Sequence, residues 1–219
     1  MIDEFAKDYL HGDLRDVRAT MLWKLEGLTE YDARRPLTTT GTNLLGLIKH
    51  LTNSEARYFG DVFGRPFPER LPWRADDADE RADDADERAD DAKLAALFDH
   101  KLQLADMWAT AAESRAEIVD RYRRVWDHSD ATIAALDIDV PGHVPWWPRP
   151  NVKLFNVLVH VLTETNRHAG HADILREQLD GAVGTEEGST AQHGQDTTFW
   201  ENHRAKIEQA AKAADPAQA

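Results

Sequence analysis

Apolar residues recur at spacings of three and four in four long stretches of the chain, which is the period of an amphipathic α-helix. The first stretch extends from Leu10 to Leu28 and is broken by Pro36 and by the polar run that follows it. The second begins near Thr42, which can accept a hydrogen bond as an N-cap, and continues to about Gly60. These two stretches predict the first two long helices.

Two further long helices are predicted in the second half of the chain. The sequence from Thr110 to Glu113 has the spacing of a capping box, and the apolar period continues from it to Leu136. The fourth helix is predicted over 151–180, where Gly181 supplies the residue type that commonly ends a helix. No segment has the alternation of a convincing β-strand. Four long amphipathic helices predict an all-α protein with the architecture of a four-helix bundle.

Shorter segments interrupt or follow the predicted bundle. Residues 74–93 form a seven-residue repeat, RADDADE, with ten acidic and four basic residues, and alanine is its only apolar residue type. Because a coiled coil needs larger apolar side chains to bury, the repeat predicts an acidic low-complexity insertion, either a solvated helix or a disordered segment. A short helix is predicted over 93–104 and an amphipathic one over 198–213. We therefore expect a bundle over 1–181, followed by a linker and a C-terminal helical appendage over 182–219.

Composition narrows the classes of function. The 219-residue chain carries 26 Lys and Arg against 40 Asp and Glu, a formal net charge of −14, and it has no basic run, which argues against binding nucleic acid. It contains no cysteine, which excludes disulfides and thiolate ligands, so any metal must be bound by His, Asp or Glu. The N-terminal sequence lacks the pattern of a secretion signal, and no window is apolar enough to span a membrane, so we expect a cytoplasmic protein without a membrane partner.

Polar side chains interrupt the apolar face of the predicted fourth helix. His160, Glu164, His168 and His171 follow one another on this face at spacings of three and four residues. Glu164 and His168 lie one helical turn apart, the spacing by which a helix offers two ligands to one metal ion. His50, at the margin of the apolar stripe of the second helix, can face them across the bundle. The alternative is that His50 is a satisfied histidine at the edge of the core and that Glu164 and His168 pair with each other or with a neighbouring arginine.

Three motifs together resemble a known family. They are GTNLLGLIKHL in the predicted second helix, PGHVPWWP before the fourth, and HVLTETNRHAGHADILREQLDG within the fourth. This combination is similar to the DinB superfamily, in the actinobacterial subgroup close to mycothiol-dependent maleylpyruvate isomerase and the bacillithiol S-transferases. The resemblance covers nearly the whole chain apart from the acidic insertion, and it implies a DinB-type four-helix bundle with a non-sequential helix order.

The resemblance also implies a divalent metal ion bound by three side chains, one from the second helix and two from the fourth. The matching positions in this sequence are His50, Glu164 and His168. Most DinB proteins have a histidine where this chain has Glu164, and the mycothiol-dependent isomerase relatives share the glutamate. The donor set favours Zn, with Ni, Fe or Mn as alternatives. Asp173 and Arg176, further along the same helix, are interpreted as surface charges.

For function, the resemblance implies an enzyme whose metal ion binds a low-molecular-weight thiol such as mycothiol, so that the thiolate reacts with an electrophilic substrate. His171 or His160 would then move a proton, and Trp146 and Trp147 would wall the mouth of the pocket, unless these tryptophans only plug the loop. A homodimer is a further family expectation. Three other interpretations remain. The protein could be a non-catalytic metal-binding stress-response protein or a metal-activated hydrolase. It could also be a structural bundle whose inward-facing polar residues only hydrogen-bond one another.

Overall fold

Six α-helices and one short β-hairpin lie in the part of the chain that the computed structural model describes, which comprises residues 4–73, 104–186 and 195–214. The helices are α1 (Glu4–Trp23), α2 (Glu30–Arg34), α3 (Leu44–Glu55), α4 (Arg115–Ala135), α5 (Leu154–Asp180) and α6 (Thr197–Ala213). Two short turns of helix, Ala56–Gly60 and Asp61–Phe63, continue α3 beyond its end. The strands are β1 (Pro141–His143) and β2 (Asn151–Lys153).

The four long helices α1, α3, α4 and α5 form the bundle. α5 packs against α1 and α3, and α4 packs against α3 and α1. It follows that α1 and α3 lie across one diagonal of the bundle and that α4 and α5 lie across the other. The all-α, DinB-like bundle that the sequence predicts is confirmed, and its helix order is non-sequential, as the resemblance implies.

The sequence of α3 shows how one helix is begun and oriented. Asn43, rather than Thr42, is the N-cap, and its side chain accepts a hydrogen bond from the backbone N–H of Gly46 at 2.8 Å. Three leucines of the apolar stripe are each only 1% exposed: Leu44, Leu47 and Leu51. Burying one such side chain stabilises the fold by about 1.5–3 kcal/mol. The stripe therefore fixes the rotation of α3 about its axis, and with it the direction of the polar residues of α3.

The start of α4 differs from the predicted one. α4 begins at Arg115 with Ser114 as its N-cap, not at the capping box that begins with Thr110. Glu113 does accept a hydrogen bond from the backbone N–H of Thr110 at 2.7 Å. Its other carboxylate oxygen, however, forms an ion pair with Lys49 of α3 at 2.8 Å. This contact with α3 holds the segment as a turn that precedes the helix.

The end of α1 also differs, because burial continues beyond the helix. α1 ends at Trp23, whereas the apolar period extends to Leu28. After Trp23 the backbone turns through hydrogen bonds between residues three apart, and Gly27 adopts the left-handed conformation with φ 74°. Leu25 is nevertheless 4% exposed, and Leu28 packs against the core. The periodicity therefore overestimates the length of this helix.

The β-hairpin between α4 and α5 is the one departure, within the described ranges, from the expectation of no strand. β1 and β2 pair antiparallel with Gly142 opposite Val152. Each strand has three residues, too few to show an alternating pattern in the sequence. Gly142 lets the hairpin approach the short helical turn Asp61–Phe63 closely, since a Cβ at position 142 would lie 2.8 Å from the ring of Phe63. The hairpin loop carries Trp146 and Trp147.

Some predictions fall on the remaining parts of the chain. The acidic insertion over 74–93 lies outside the described residues, as does the short helix predicted over 93–104 apart from its last residue. The C-terminal helix predicted over 198–213 corresponds to α6, and every residue of α6 is exposed. The division of the chain into 1–181 and 182–219 stays a prediction. Within the ranges that the structure describes, no helix combines the length and the hydropathy needed to cross a bilayer.

A buried ion pair joins three helices of the bundle. Arg18 of α1 donates to Glu55 of α3 from Nε at 2.9 Å and from Nη2 at 2.5 Å. The two side chains are 1% and 0% exposed. Nη1 of Arg18 also donates to Asp130 of α4 at 2.7 Å, and Asp130 in turn binds His11 and Arg15. Charges can be buried in this way only when they are paired and hydrogen-bonded.

The interpretation of Arg176 as a surface charge is wrong. Arg176 is 6% exposed, and its Nη1 donates to the backbone carbonyl oxygen of Lys24 at 2.8 Å while its Nη2 pairs with Asp180 at 2.9 Å. It therefore holds the end of α1 against α5. Asp173 is 48% exposed at its side chain, as expected of a surface charge, and pairs with Nζ of Lys24 at 2.7 Å.

Candidate metal centre

His50, Glu164 and His168 come together where α3 and α5 face each other. Oε1 of Glu164 lies 3.0 Å from Nε2 of His168 and 3.6 Å from Nε2 of His50. The two imidazole rings meet edge to face with their centroids 4.9 Å apart. One turn of α5 separates Glu164 from His168, and the leucine stripe of α3 turns His50 toward them. The structure thus brings together the three residues that the sequence predicts as ligands.

The donor atoms of this cluster fit a divalent ion. They all lie within 4.8 Å of one another, and ligands at about 2.0–2.1 Å from a tetrahedral ion are about 3.3 Å apart. Small side-chain movements therefore suffice to bring all three donors onto one ion. The side chains of His50 and Glu164 are each 27% exposed, whereas that of His168 is 10% exposed. The cluster is consequently open to solvent on one side, where a further ligand can enter.

Burial and charge act on the pKa values of the cluster in opposite directions. Burial lowers the pKa of His50, but hydrogen bonds to Asp106 and Glu164 outweigh it and raise that pKa to about 9. Hydrogen bonds from His168 and His50 lower the pKa of Glu164 below its ordinary range. The carboxylate is therefore ionised near neutral pH, and a facing cation, whether an imidazolium or a metal ion, compensates its charge. This explains how a glutamate can occupy the inner face of α5.

Asp106 is a residue of this site that the sequence analysis does not find. Its Oδ2 accepts hydrogen bonds from Nδ1 of His50 at 3.1 Å and from Nδ2 of Asn53 at 3.2 Å, and its side chain is 5% exposed. Asp106 follows the acidic insertion, in a segment without helical period, so no spacing rule points to it. Its one signal in the sequence is that it is the single charge within the apolar stretch LADMWA.

His171 and His160 occupy different surroundings. Nδ1 of His171 lies 3.3 Å from Nδ1 of His168, and His171 is exposed. Burial and then the charge of His168 lower the pKa of His171. His160 packs instead against Tyr58 and Trp147, with ring centroids 4.7 and 4.6 Å away, and burial lowers the pKa of His160. His171 therefore adjoins the candidate ligands His50, Glu164 and His168, whereas His160 belongs to an aromatic group beside them.

That aromatic group includes both tryptophans of the hairpin loop. The indole N–H groups of Trp146 and Trp147 donate to Oη of Tyr58 at 3.2 and 3.1 Å. We call these three residues the aromatic wall. Through His160, which lies one turn before Glu164 on α5, the wall stands next to the ligand cluster. Both tryptophans are partly buried, so they pack against the core and also present surface outside it.

Fold and donor set together define a helical bundle of the DinB type with a cluster of two histidines and one glutamate. A family model described as Mycothiol-S-transferase matches residues 9–181. The chain therefore belongs to the mycothiol S-transferase family, which is DinB-like, and the resemblance seen in the sequence is confirmed. No curated protein sequence matches the chain.

Proposed function

We propose that this protein is a metal-dependent S-transferase that joins a mycothiol-type thiol to an electrophilic carbon. The observation that supports it most strongly is a solvent-open cluster of metal-binding side chains in a chain of the mycothiol S-transferase family. His50, Glu164 and His168 would hold the ion, with Zn as the first choice. A divalent ion bound there lowers the pKa of a thiol ligand, so that a thiolate is available near neutral pH although the chain has no cysteine.

The proposed reaction forms a carbon–sulfur bond and breaks the bond between the electrophilic carbon and its leaving group. The sulfur supplies the electron pair, the leaving group departs with the pair of the broken bond, and the thiol proton passes to a base. Of the two candidate histidines, His171 is better placed to take this proton, because it is exposed and adjoins His168. His160 is held by aromatic contacts, and its role is to support the wall.

We propose that the aromatic wall binds the electrophilic substrate. Apolar ring faces beside the ligand cluster suit the carbon skeleton of a hydrophobic substrate. Both indole N–H groups already donate to Tyr58, so the wall selects for shape and polarity rather than for particular hydrogen-bonding groups. We therefore expect an electrophilic substrate with an apolar or aromatic carbon skeleton.

Elemental analysis of protein purified without added metal tests the proposal. The samples are the parent chain, His168→Ala, and His203→Ala as the matched control, since His203 is an exposed histidine of α6. We expect close to one equivalent of a single transition metal in the parent and in the control, and none in His168→Ala. Consumption of an aralkyl halide in the presence of mycothiol should then follow the metal content.

Two outcomes would contradict the proposal in different ways. Absence of metal from the parent, together with an unchanged thermal midpoint on addition of Zn, Ni or Mn, would exclude a metal site. A full equivalent of metal without transfer from mycothiol to any electrophile would instead favour the alternative, a non-catalytic metal-binding protein.

A further inference from the structure

Residues 104–109, which we call the strap, run along α3 before α4 begins, and α3 holds them by their backbone. Nζ of Lys49 donates to two strap carbonyl oxygens at 3.1 and 2.7 Å. Nδ2 of Asn43 donates to the carbonyl oxygen of Met107 at 3.1 Å. Lys49 and Asn43 are 1% and 2% exposed. Two buried polar side chains, that of the N-cap Asn43 and that of Lys49 within α3, thus both donate hydrogen bonds to the backbone of this one segment.

Gly46 allows the strap to approach α3 closely. A Cβ at this position would lie 1.9 Å from the carbonyl oxygen of Met107 and 2.5 Å from its carbonyl carbon. These are backbone atoms, which cannot move aside as the end of a side chain can. A glycine inside a helix is less favourable than an alanine, and here the close contact explains why this position is glycine. Asn43, Gly46 and Lys49 stand three residues apart and so form one row on α3, which faces the strap.

The strap places Asp106 behind His50. Oδ2 of Asp106 accepts a hydrogen bond from Nδ1 of His50 and is shared with Asn53. Oδ1 of Asp106 is buried and has no hydrogen-bond partner among the residues that the structure describes. A buried carboxylate with an unpaired oxygen is unfavourable for stability. Because Nδ1 is engaged, Nε2 is the nitrogen that His50 directs toward Glu164.

We propose that the strap is a positioning device for a metal ligand. The row on α3 holds the strap in place, and Asp106 then fixes the imidazole ring of His50 with Nε2 directed at the ion. Asp106 is a positioning residue, since it acts through His50 and not on the reacting atoms. The inference rests on the proposed metal site and adds the residues beyond the ligand set that determine how tightly the site binds. It also accounts for the motif NLLGLIKH, whose last residue is the ligand and whose earlier polar and glycine positions hold the strap.

The test measures the Zn affinity of the full-length chain by competition with a chromophoric chelator. Loss of an orienting partner behind a ligand histidine weakens metal binding by about 10–100-fold, and we expect this loss for Asp106→Ala. Asp106→Asn keeps the shape and an acceptor oxygen, so we expect a smaller loss, and this variant replaces the alanine variant if the latter does not fold. Gly46→Ala displaces the strap itself, and we expect a loss similar to that of Asp106→Ala.

Gly170→Ala is the matched control for Gly46→Ala. Gly170 lies between His168 and His171 on α5, and a Cβ there would meet nothing within 4 Å, so we expect the Zn affinity to be unchanged. The thermal midpoint of unfolding of each metal-free variant is measured in parallel. A purely structural role would lower this midpoint without weakening Zn binding at temperatures at which the variant is folded.

The outcomes separate this inference from the proposed function. Zn affinities within about two-fold of the parent in Asp106→Ala and Gly46→Ala would overturn the positioning role and leave the metal site intact. Weaker Zn binding in both variants, with the control unchanged, would support it. A parent chain that binds no Zn would overturn the proposed function and this inference with it, since no ligand would then need positioning.

Discussion

Replacing Arg18 with methionine would show how the bundle tolerates charge in its core. Arg18 donates two hydrogen bonds to Glu55, and the two side chains are 1% and 0% exposed. Arg18→Met keeps an apolar stem but leaves the carboxylate of Glu55 buried without its cation. Breaking a buried pair from one side costs about 3–5 kcal/mol, a large part of the roughly 5–15 kcal/mol that stabilises a typical domain. We expect the free energy of unfolding to fall by this amount.

Urea unfolding followed by far-UV circular dichroism measures the change. Arg15→Met is the matched control, because Arg15 binds Asp130 from the same helix but has a side chain that is 60% exposed. Its loss should stay below about 1 kcal/mol. Adding Glu55→Leu to Arg18→Met removes the unpaired charge and should restore part of the stability. Losses for Arg18→Met and Arg15→Met that agree within about 1 kcal/mol would refute the reasoning.

The pH dependence of the same variant gives an independent check. Burial raises the pKa of Glu55, and the charge and hydrogen bonds of Arg18 oppose that rise. Without Arg18 the folded-state pKa of Glu55 rises further above its unfolded value of about 4.3. The folded state then binds more protons than the unfolded state between the two values, so stability falls as pH rises through that window. The loss in Arg18→Met should be larger at about pH 8 than at about pH 5, and equal losses would indicate a packing defect instead.

Tyr58→Phe removes the hydrogen-bond acceptor shared by Trp146 and Trp147. We expect the free energy of unfolding to fall by about 1–3 kcal/mol and the tryptophan emission to change, both measured in one urea titration. An unchanged emission would contradict the shared contact. Burial opposes ionisation of Asp130, but the cations around it prevail and lower its pKa. The contribution of Asp130 to stability is therefore present above the unfolded pKa of about 3.9 and is lost as the pH falls further. In Asp130→Asn the free energy of unfolding should consequently decrease less steeply at acid pH than in the parent. Equal slopes in the two proteins would argue against this contribution. Gly12→Ala, at an exposed position of α1 where a Cβ meets nothing within 4 Å, should raise stability by about 0.5–1 kcal/mol in thermal unfolding, and a decrease would mean that this face of α1 is covered.

The proximity of His50, Glu164 and His168 could be predicted because all three residues lie on regular helices. The apolar stripe of α5 has a phase that places Glu164 and His168 on its inner side, and the leucines of α3 do the same for His50. On a helix, sequence spacing converts directly into direction, so a polar residue within an apolar stripe is visible in the sequence alone. The resemblance contributed what periodicity cannot, namely which two helices face each other.

The features that escaped prediction depend on contacts between segments that are distant in sequence. Asp106 binds His50, although the acidic insertion separates the two residues in the sequence. Arg18 binds Glu55, which lies on a different helix of the bundle. No spacing rule relates the members of either pair. The capping box that begins at Thr110 is a different case: its local hydrogen bond forms, but an ion pair with α3 decides where α4 begins. The sequence predicts the local hydrogen bond between Thr110 and Glu113, but not the ion pair between Glu113 and Lys49 that changes where the helix begins.

The diagonal arrangement of α1 and α3 bears on the order in which the protein folds. These two helices are synthesised first, yet each packs against α4 and α5, which follow much later in the chain. His50 is separated from Glu164 by more than one hundred residues, so their approach closes a long loop and carries the entropic cost of that closure. A nascent chain has not assembled His50, Glu164 and His168 until its last bundle helix, α5, has docked. An ion held by these three side chains, as proposed above, would therefore bind after folding and would not guide it.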